Sequence, residues 1–306
     1  MKYFFVHYLT KETSALLGFL MMAAFYWIFR LINNYLKKKM KKLILLLFIP
    51  LVSFAQYQNT DDIYYDKNIS LKYWNINGVE RKAIVYIPEK ESLKNTPLIF
   101  VWHGHGGSAE KFIKKFPLHK LWKEVIVVFP QGVNSKSPWD IKAEKTGWQF
   151  QIGDYEDRDI KFFDIMHSYF LNTFPIDSKR IYCTGSSNGG TFTYILLQLR
   201  PKVFAAAAPA ITANVGLENL YEIKLPPIPI FHTSGKKENS FLKQKKLVSY
   251  LIKEKKAKYF GYWNDNTFTE YYKSDKGNLV WFKHDDGHRW RTKDTELIVD
   301  FFKNHE

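Results

Sequence analysis

The chain has 306 residues, 46% of them hydrophobic and 17% aromatic, with a formal net charge of +15. A domain of about 250 residues with a large core fits within that length. Eight basic side chains and one acid fall in residues 1–55, and the remaining 37 basic and 29 acidic residues are interspersed; they form no basic stripe interleaved with stacking aromatics, so no nucleic-acid partner is expected, although acidic polysaccharide remains compatible with the charge.

The first feature along the chain is an apolar stretch from Ser14 to Ile32, nearly long enough for a membrane span and interrupted by Arg30. A second begins at Met40: a basic start at Lys41-Lys42, an apolar run from Leu43 to Val52, and small residues at Ser53 and Ala55. That is the pattern of a secretory signal peptide over residues 40–55, cleaved after Ala55. Two readings of residues 1–39 stay open: an upstream extension before a true start at Met40, or a membrane anchor with the lysines at 37–42 on the cytoplasmic side. Both place the remaining domain, 56–306, outside the cytoplasmic membrane, secreted or periplasmic. No cysteine follows the apolar run, so no lipid anchor is expected.

Leu71–Ile76 and Val79–Ile87 alternate around Asn77-Gly78, which predicts a hairpin. Pro97–Trp102 and Val125–Phe129 are continuous apolar runs of the kind buried parallel strands show. Residues 131–153 lack periodicity and read as a long loop carrying Trp139 and Trp148. Helical spacing over Asp157–Phe174 aligns Ile160, Phe163, Met166 and Phe170. Arg180–Thr184 is a strand and Gly190–Leu197 a helix. Strands follow at Phe204–Ala210, Ile228–His232, Thr267–Tyr272 and Leu279–Lys283, with an amphipathic helix at Thr295–Asn304. Strands alternating with helices predict an α/β fold whose mostly parallel central sheet carries helices on both faces. The single cysteine, Cys183, lies on a predicted strand and reads as a buried apolar residue.

Gly185-Ser186-Ser187-Asn188-Gly189 sits between a strand and a helix, the setting in which G-x-S-x-G becomes a nucleophile elbow. The glycine frame selects Ser187 over Ser186. The strained turn projects the hydroxyl from the sheet edge and directs the amide of Asn188 toward a developing oxyanion. A serine nucleophile requires a base and an orienting acid. His288, in a loop after the last predicted strand, is preferred as base over His284, which ends that strand. The acid is expected between serine and histidine in the chain and after a strand at the same sheet edge. Glu238 is the first carboxylate after Ile228–His232, and flanking Lys236 and Lys237 are expected to favour its ionised form. His103-Gly104-His105-Gly106-Gly107 follows the 97–102 strand, and the backbone N–H of His105 is the expected second oxyanion donor. His103 and His105 have no third partner at a metal-ligand spacing, so no metal is expected. Trp139, Trp148 and Trp290 are candidate substrate contacts, and Trp139 and Trp148 serve equally well as packing residues.

Taken together, Asn77-Gly78-Val79, Arg81, His103-Gly104, Phe129-Pro130-Gln131-Gly132, Trp148, Asp159, the 185–190 elbow and Gly287-His288-Arg289-Trp290 make the chain similar to the polyhydroxybutyrate depolymerase-like esterases. That group includes the feruloyl and acetylxylan esterases of carbohydrate esterase family 1. The resemblance runs from about Leu71 to His305. It implies an α/β-hydrolase fold, no cofactor, an ester substrate and a triad of Ser187, Glu238 and His288. Members usually carry Asp at the position of Glu238, and often Cys at that of His105. A serine peptidase on the same fold, or a non-catalytic carbohydrate-binding relative, are the alternatives.

Overall fold

Apolar runs that alternate between two faces organise the molecule. In the computed structural model, which describes residues 21–28, 67–76, 78–89 and 93–305, the runs build one ten-stranded sheet. Strand β3 (Thr96–Trp102) sends Leu98, Phe100 and Trp102 to one core and Ile99 and Val101 to the other. Strand β4 (Ile126–Pro130) divides Ile126 and Val128 from Val127 and Phe129 in the same way. Both faces are therefore apolar, and each demands a helical cover.

The hairpin of β1 (Ile69–Ile76) and β2 (Val79–Tyr86) forms in the expected register, with Ile76 opposite Val79. Gly78 adopts φ 84° at its turn, and Asn77 lies outside the described residues. Helices α1 (Ala109–Lys115) and α2 (Leu118–Leu121) separate β3 from β4. After a small ladder of β5 (Val133–Asn134) and β6 (Thr146–Gly147) come α3 (Arg158–Thr173), β7 (Ile176–Ser186), α4 (Asn188–Leu199), β8 (Ala206–Ala210) and β9 (Ile230–Gly235). Helix α5 (Phe241–Glu254), strands β10 (Lys258–Trp263), β11 (Asn266–Lys273) and β12 (Leu279–His284), and α6 (Thr295–Lys303) complete the chain.

The sheet order is β1-β2-β4-β3-β7-β8-β9-β12-β11-β10. From β4 to β12 every neighbouring pair is parallel, and the outer pairs are antiparallel. Helices α3, α4 and α5 cover one face through residues such as Phe163, Phe170, Leu196 and Leu247. Helices α1, α2 and α6 cover the other with Phe112, Leu118, Ile298 and Phe302. Cys183 is fully buried, and burial pushes its thiol well above the usual range.

Four elements were not expected: α1, α2, α5 and β10. The 131–153 segment is mostly loop, as expected, but contains the short β5–β6 ladder. Residues Met1–Tyr64 form a separate unit in which residues 21–28 are helical. The signal-peptide segment 40–55 and most of the 14–32 stretch lie outside the described residues. Among the described residues no helix is long and apolar enough to cross a membrane.

Candidate active site

The parallel strands all deliver their carboxyl ends to one edge. Trp102 pairs with Gly185, Ser186 with Ala210, and His284 with Gly235. The loops after β3, β7, β9 and β12 therefore emerge side by side, the place where open α/β sheets carry ligands.

Ser187 occupies the turn between β7 and α4 with φ 58° and ψ −117°, a strained conformation for a residue with a side chain. Close packing holds it there. A Cβ on Gly189 would fall 2.2 Å from the carbonyl oxygen of Trp102, and one on Gly185 would fall 2.4 Å from that of Gly189. Only glycine fits at either position, so the spacing of the motif follows from the crossing of β3, β7 and α4. The backbone N–H of Ser187 donates to the Ala210 carbonyl at 2.9 Å and ties the elbow to β8.

His288 meets Ser187 as the sequence predicts: its Nε2 lies 2.8 Å from Ser187 Oγ. Its Nδ1 lies 2.7 Å from Glu238 Oε2. With Nδ1–H donating to the carboxylate, Nε2 is left to accept the serine proton. The imidazole is half exposed, whereas the Glu238 side chain is 1% exposed. Burial raises the Glu238 pKa, but hydrogen bonds from His288, the Gly235 N–H, Gln244 and Ser240 outweigh it, and the net shift is downward. Those hydrogen bonds, rather than the flanking lysines, are the leading causes of the lowering, and Lys236 pairs with Asp285 at 2.8 Å. A buried file of hydrogen bonds braces the acid from beneath. Ser240 Oγ donates to Glu238 Oε2 at 2.9 Å, Gln244 Nε2 donates to Ser240 Oγ at 3.0 Å, and His232 and Tyr194 continue the chain. Burial holds His232 at a pKa of about 4, so it remains neutral. His284 is buried within the fold, where its Nδ1 accepts the backbone N–H of Asp286, a structural role.

The loop after β3 is fixed by a second buried histidine. His103 Nδ1–H donates to the Gly104 carbonyl at 2.8 Å, and its Nε2 accepts the Gly132 N–H at 2.9 Å. Burial lowers its pKa to about 4, so this neutral arrangement persists. Gly104 lies against the elbow, its Cβ position 3.5 Å from Ser187 Cβ. The Asn188 side chain clamps the backbone of Trp148, accepting its N–H at 2.7 Å and donating to its carbonyl at 3.2 Å. The Asn188 backbone N–H, at the first position of α4, has no partner within the helix and is free to face a ligand. The His105 side chain binds Asp140 through Nε2 at 2.8 Å. Among the described residues no group of three or more His, Cys, Asp or Glu side chains is arranged to hold a metal ion.

Of the two readings of Trp148, substrate contact and packing residue, the structure shows the packing one. It is fully buried, packs edge-on against Trp102 at 5.0 Å and donates its indole N–H to the His103 carbonyl, so it supports the loop and is closed to substrate. Trp290 is 3% exposed, with its ring against Phe116, and contributes to the wall rather than offering a stacking face. Trp139 is 67% exposed and borders the cavities on both sides of Ser187. The buried pair of Arg81 and Asp159, 2.8 Å apart, anchors the same loop where Asp159 also accepts the Gln149 N–H.

A search of solved structures gives the fold. A ferulic acid esterase superposes with a TM-score of 0.58 at 12% identity, covering 78% of this chain and 98% of that one. The chain has the α/β-hydrolase fold. The model of the prolyl oligopeptidase family matches residues 144–223, the segment that includes the elbow. Among curated proteins it is 30% identical to a bifunctional acetylxylan esterase/xylanase of Neocallimastix patriciarum, over 53% of this chain and 22% of that protein. It is likewise 30% identical to feruloyl esterase D of Neurospora crassa, over 44% and 46% respectively. The matches span less than half the length of these relatives.

Proposed function

We propose that the chain is a serine carboxylic ester hydrolase that works through an acyl-enzyme. The observation that carries this reading is the continuous file Ser187 Oγ–His288–Glu238, with contacts of 2.8 and 2.7 Å at a strained elbow. His288 Nε2 takes the proton of Ser187 as Oγ attacks the ester carbonyl. The amides of His105 and Asn188 face the oxyanion. The protonated imidazole, stabilised by ionised Glu238, returns the proton to the departing alkoxide, and a water then repeats the sequence to free the acid. The similarity to acetylxylan and feruloyl esterases supports acetyl or feruloyl esters on plant cell-wall polysaccharide as substrates, with polyhydroxyalkanoate oligomers second. With residues 40–55 as a signal peptide, the enzyme acts outside the cytoplasmic membrane.

The test is hydrolysis of p-nitrophenyl acetate, methyl ferulate and 3-hydroxybutyrate oligomers beside a Ser187→Ala control. Turnover of at least one ester that vanishes in the control is the expected result. No turnover by a folded protein would overturn the esterase reading. The match over residues 144–223 favours one second reading, a serine peptidase with the same triad, which a panel of peptide substrates separates.

A further inference from the structure

Ser187 and His288 lie at the junction of two cavities of unlike character. One, of about 550 Å³, is walled by Trp139, Phe150, Ile211, Val215, Leu217 and Leu220, and its charged lining residues are one of each sign, Glu218 and Lys243. The other, of about 520 Å³, carries Lys111, Lys115 and Arg289 in its lining and, among the described residues, no acid.

Among the described residues no ion pair joins an acid to Lys111, Lys115 or Arg289, and the acids of the neighbouring segments pair elsewhere. Glu110 turns to Lys82 at 3.7 Å, Asp140 to His105 at 2.8 Å, Asp285 to Lys236 at 2.8 Å, and Asp286 to Arg291 at 3.7 Å. The stem of Lys145 also passes over Gly106 at the rim, its Cδ 3.5 Å from that glycine's Cβ position. Lys111 and Lys115 stand four residues apart on α1, an arrangement in which like charges repel. Leaving such a group beside a nucleophile without counter-charge raises the local concentration of anions there.

Building on the esterase reading, we propose that this second cavity receives the alcohol part of the substrate and that this alcohol is anionic, a sugar bearing a carboxylate. The apolar cavity suits an acetyl or aromatic acyl group. The polar one suits a sugar, and a uronate carboxylate matches the planar donor fork of Arg289 in a cavity that Lys111 and Lys115 also line. Binding of the charge by groups remote from the scissile bond orients the ester for attack.

The test compares feruloyl galacturonate with feruloyl galactose, two esters with the same acyl group whose alcohols differ in one carboxylate. The full chain is expected to show a kcat/KM ratio of about tenfold or more in favour of the anionic ester at low ionic strength, shrinking toward unity in molar salt. The K111Q/K115Q/R289Q variant is expected to lose that ratio. Lys179→Gln makes one charge change on β7, seven residues before its last residue and thus far from the carboxyl edge, and is expected to keep it. Equal turnover of both esters, or a ratio that falls as much with Lys179→Gln as with the triple variant, would overturn the inference while leaving the esterase reading intact. Failure to hydrolyse either feruloyl sugar by a chain that turns over p-nitrophenyl acetate would overturn this inference alone, and failure on all three esters would overturn the esterase reading as well.

Discussion

Replacing Glu238 by Gln changes the fewest atoms while removing the charge that orients His288. The carboxylate accepts the Gly235 N–H on Oε1 and both the Ser240 hydroxyl and His288 Nδ1–H on Oε2. An amide offers one acceptor oxygen and one NH2. If the oxygen faces His288, the NH2 opposes the Gly235 N–H at 2.9 Å, donor against donor. If the NH2 faces His288, the imidazole turns to its other tautomer and Nε2 can no longer accept from Ser187. Either orientation also leaves the imidazolium formed during attack without its counter-charge. Replacing the carboxylate that orients a catalytic histidine by its amide costs up to about 10⁴ in kcat, or about 5 kcal/mol, and because the His288 imidazole is half exposed the expected loss is about 10² to 10⁴. The assay is steady-state hydrolysis of p-nitrophenyl acetate by wild type and Glu238→Gln, with a thermal melt to establish that the variant is folded. A folded variant whose kcat stays within tenfold of wild type would refute the role given to Glu238.

Other consequences follow from the buried groups. His103 and His232, each held at about 4 in the fold against 6.5 for the free side chain, take up protons first in the unfolded chain as pH falls. Stability is therefore full above pH 6.5 and is lost progressively down to about pH 4, with about 2 kcal/mol per histidine gone at pH 5; denaturant unfolding at pH 7 and pH 5 measures it, and equal midpoints would contradict it. Glu238 acts in the same sense over a lower pH range, since its depressed pKa adds stability that is present above the ordinary carboxylate range and is lost as pH falls through the lowered value. Trp148→Ala is expected to cost about 3–5 kcal/mol of stability through the cavity it leaves among Trp102 and Phe192. Trp139→Ala is expected to leave the melt unchanged and raise KM; a large stability loss there would contradict its exposed position. Gly189→Ala forces a Cβ against the Trp102 carbonyl, so soluble protein with normal activity would refute the packing account of the elbow.

The triad and the sheet were legible because strong local signals coincide with strict geometry. The apolar runs at 97–102 and 125–129 can only be satisfied by two covered faces, and the glycines at 185 and 189 mark a crossing that admits no Cβ. Chain order along one sheet edge was enough to pair Glu238 and His288 with Ser187. Helix α5 also left a trace, since Gln244, Leu247, Val248 and Leu251 fall on one buried face at helical spacing. Strand β10 did not, because Lys258, Tyr259, Phe260 and Tyr262 are exposed at the outer edge, where no core imposes alternation. The bracing of the site was equally hidden. Nothing in the sequence says that Ser240 and Gln244 hold Glu238, or that Asp140 captures His105, because those contacts depend on how loops distant in the chain meet. Trp148 stayed undecided for a related reason: a tryptophan in a polar loop reads equally as a binding surface or a packing residue until Asn188 and His103 are seen to draw it inward.

The most direct test of the account is to mix the protein with p-nitrophenyl acetate, quench within the first turnover and locate the acyl group by mass spectrometry. One acetyl group on Ser187, absent from Ser187→Ala, is the predicted result. Hydrolysis that proceeds with Ser187 unmodified, or that persists in Ser187→Ala, would contradict it.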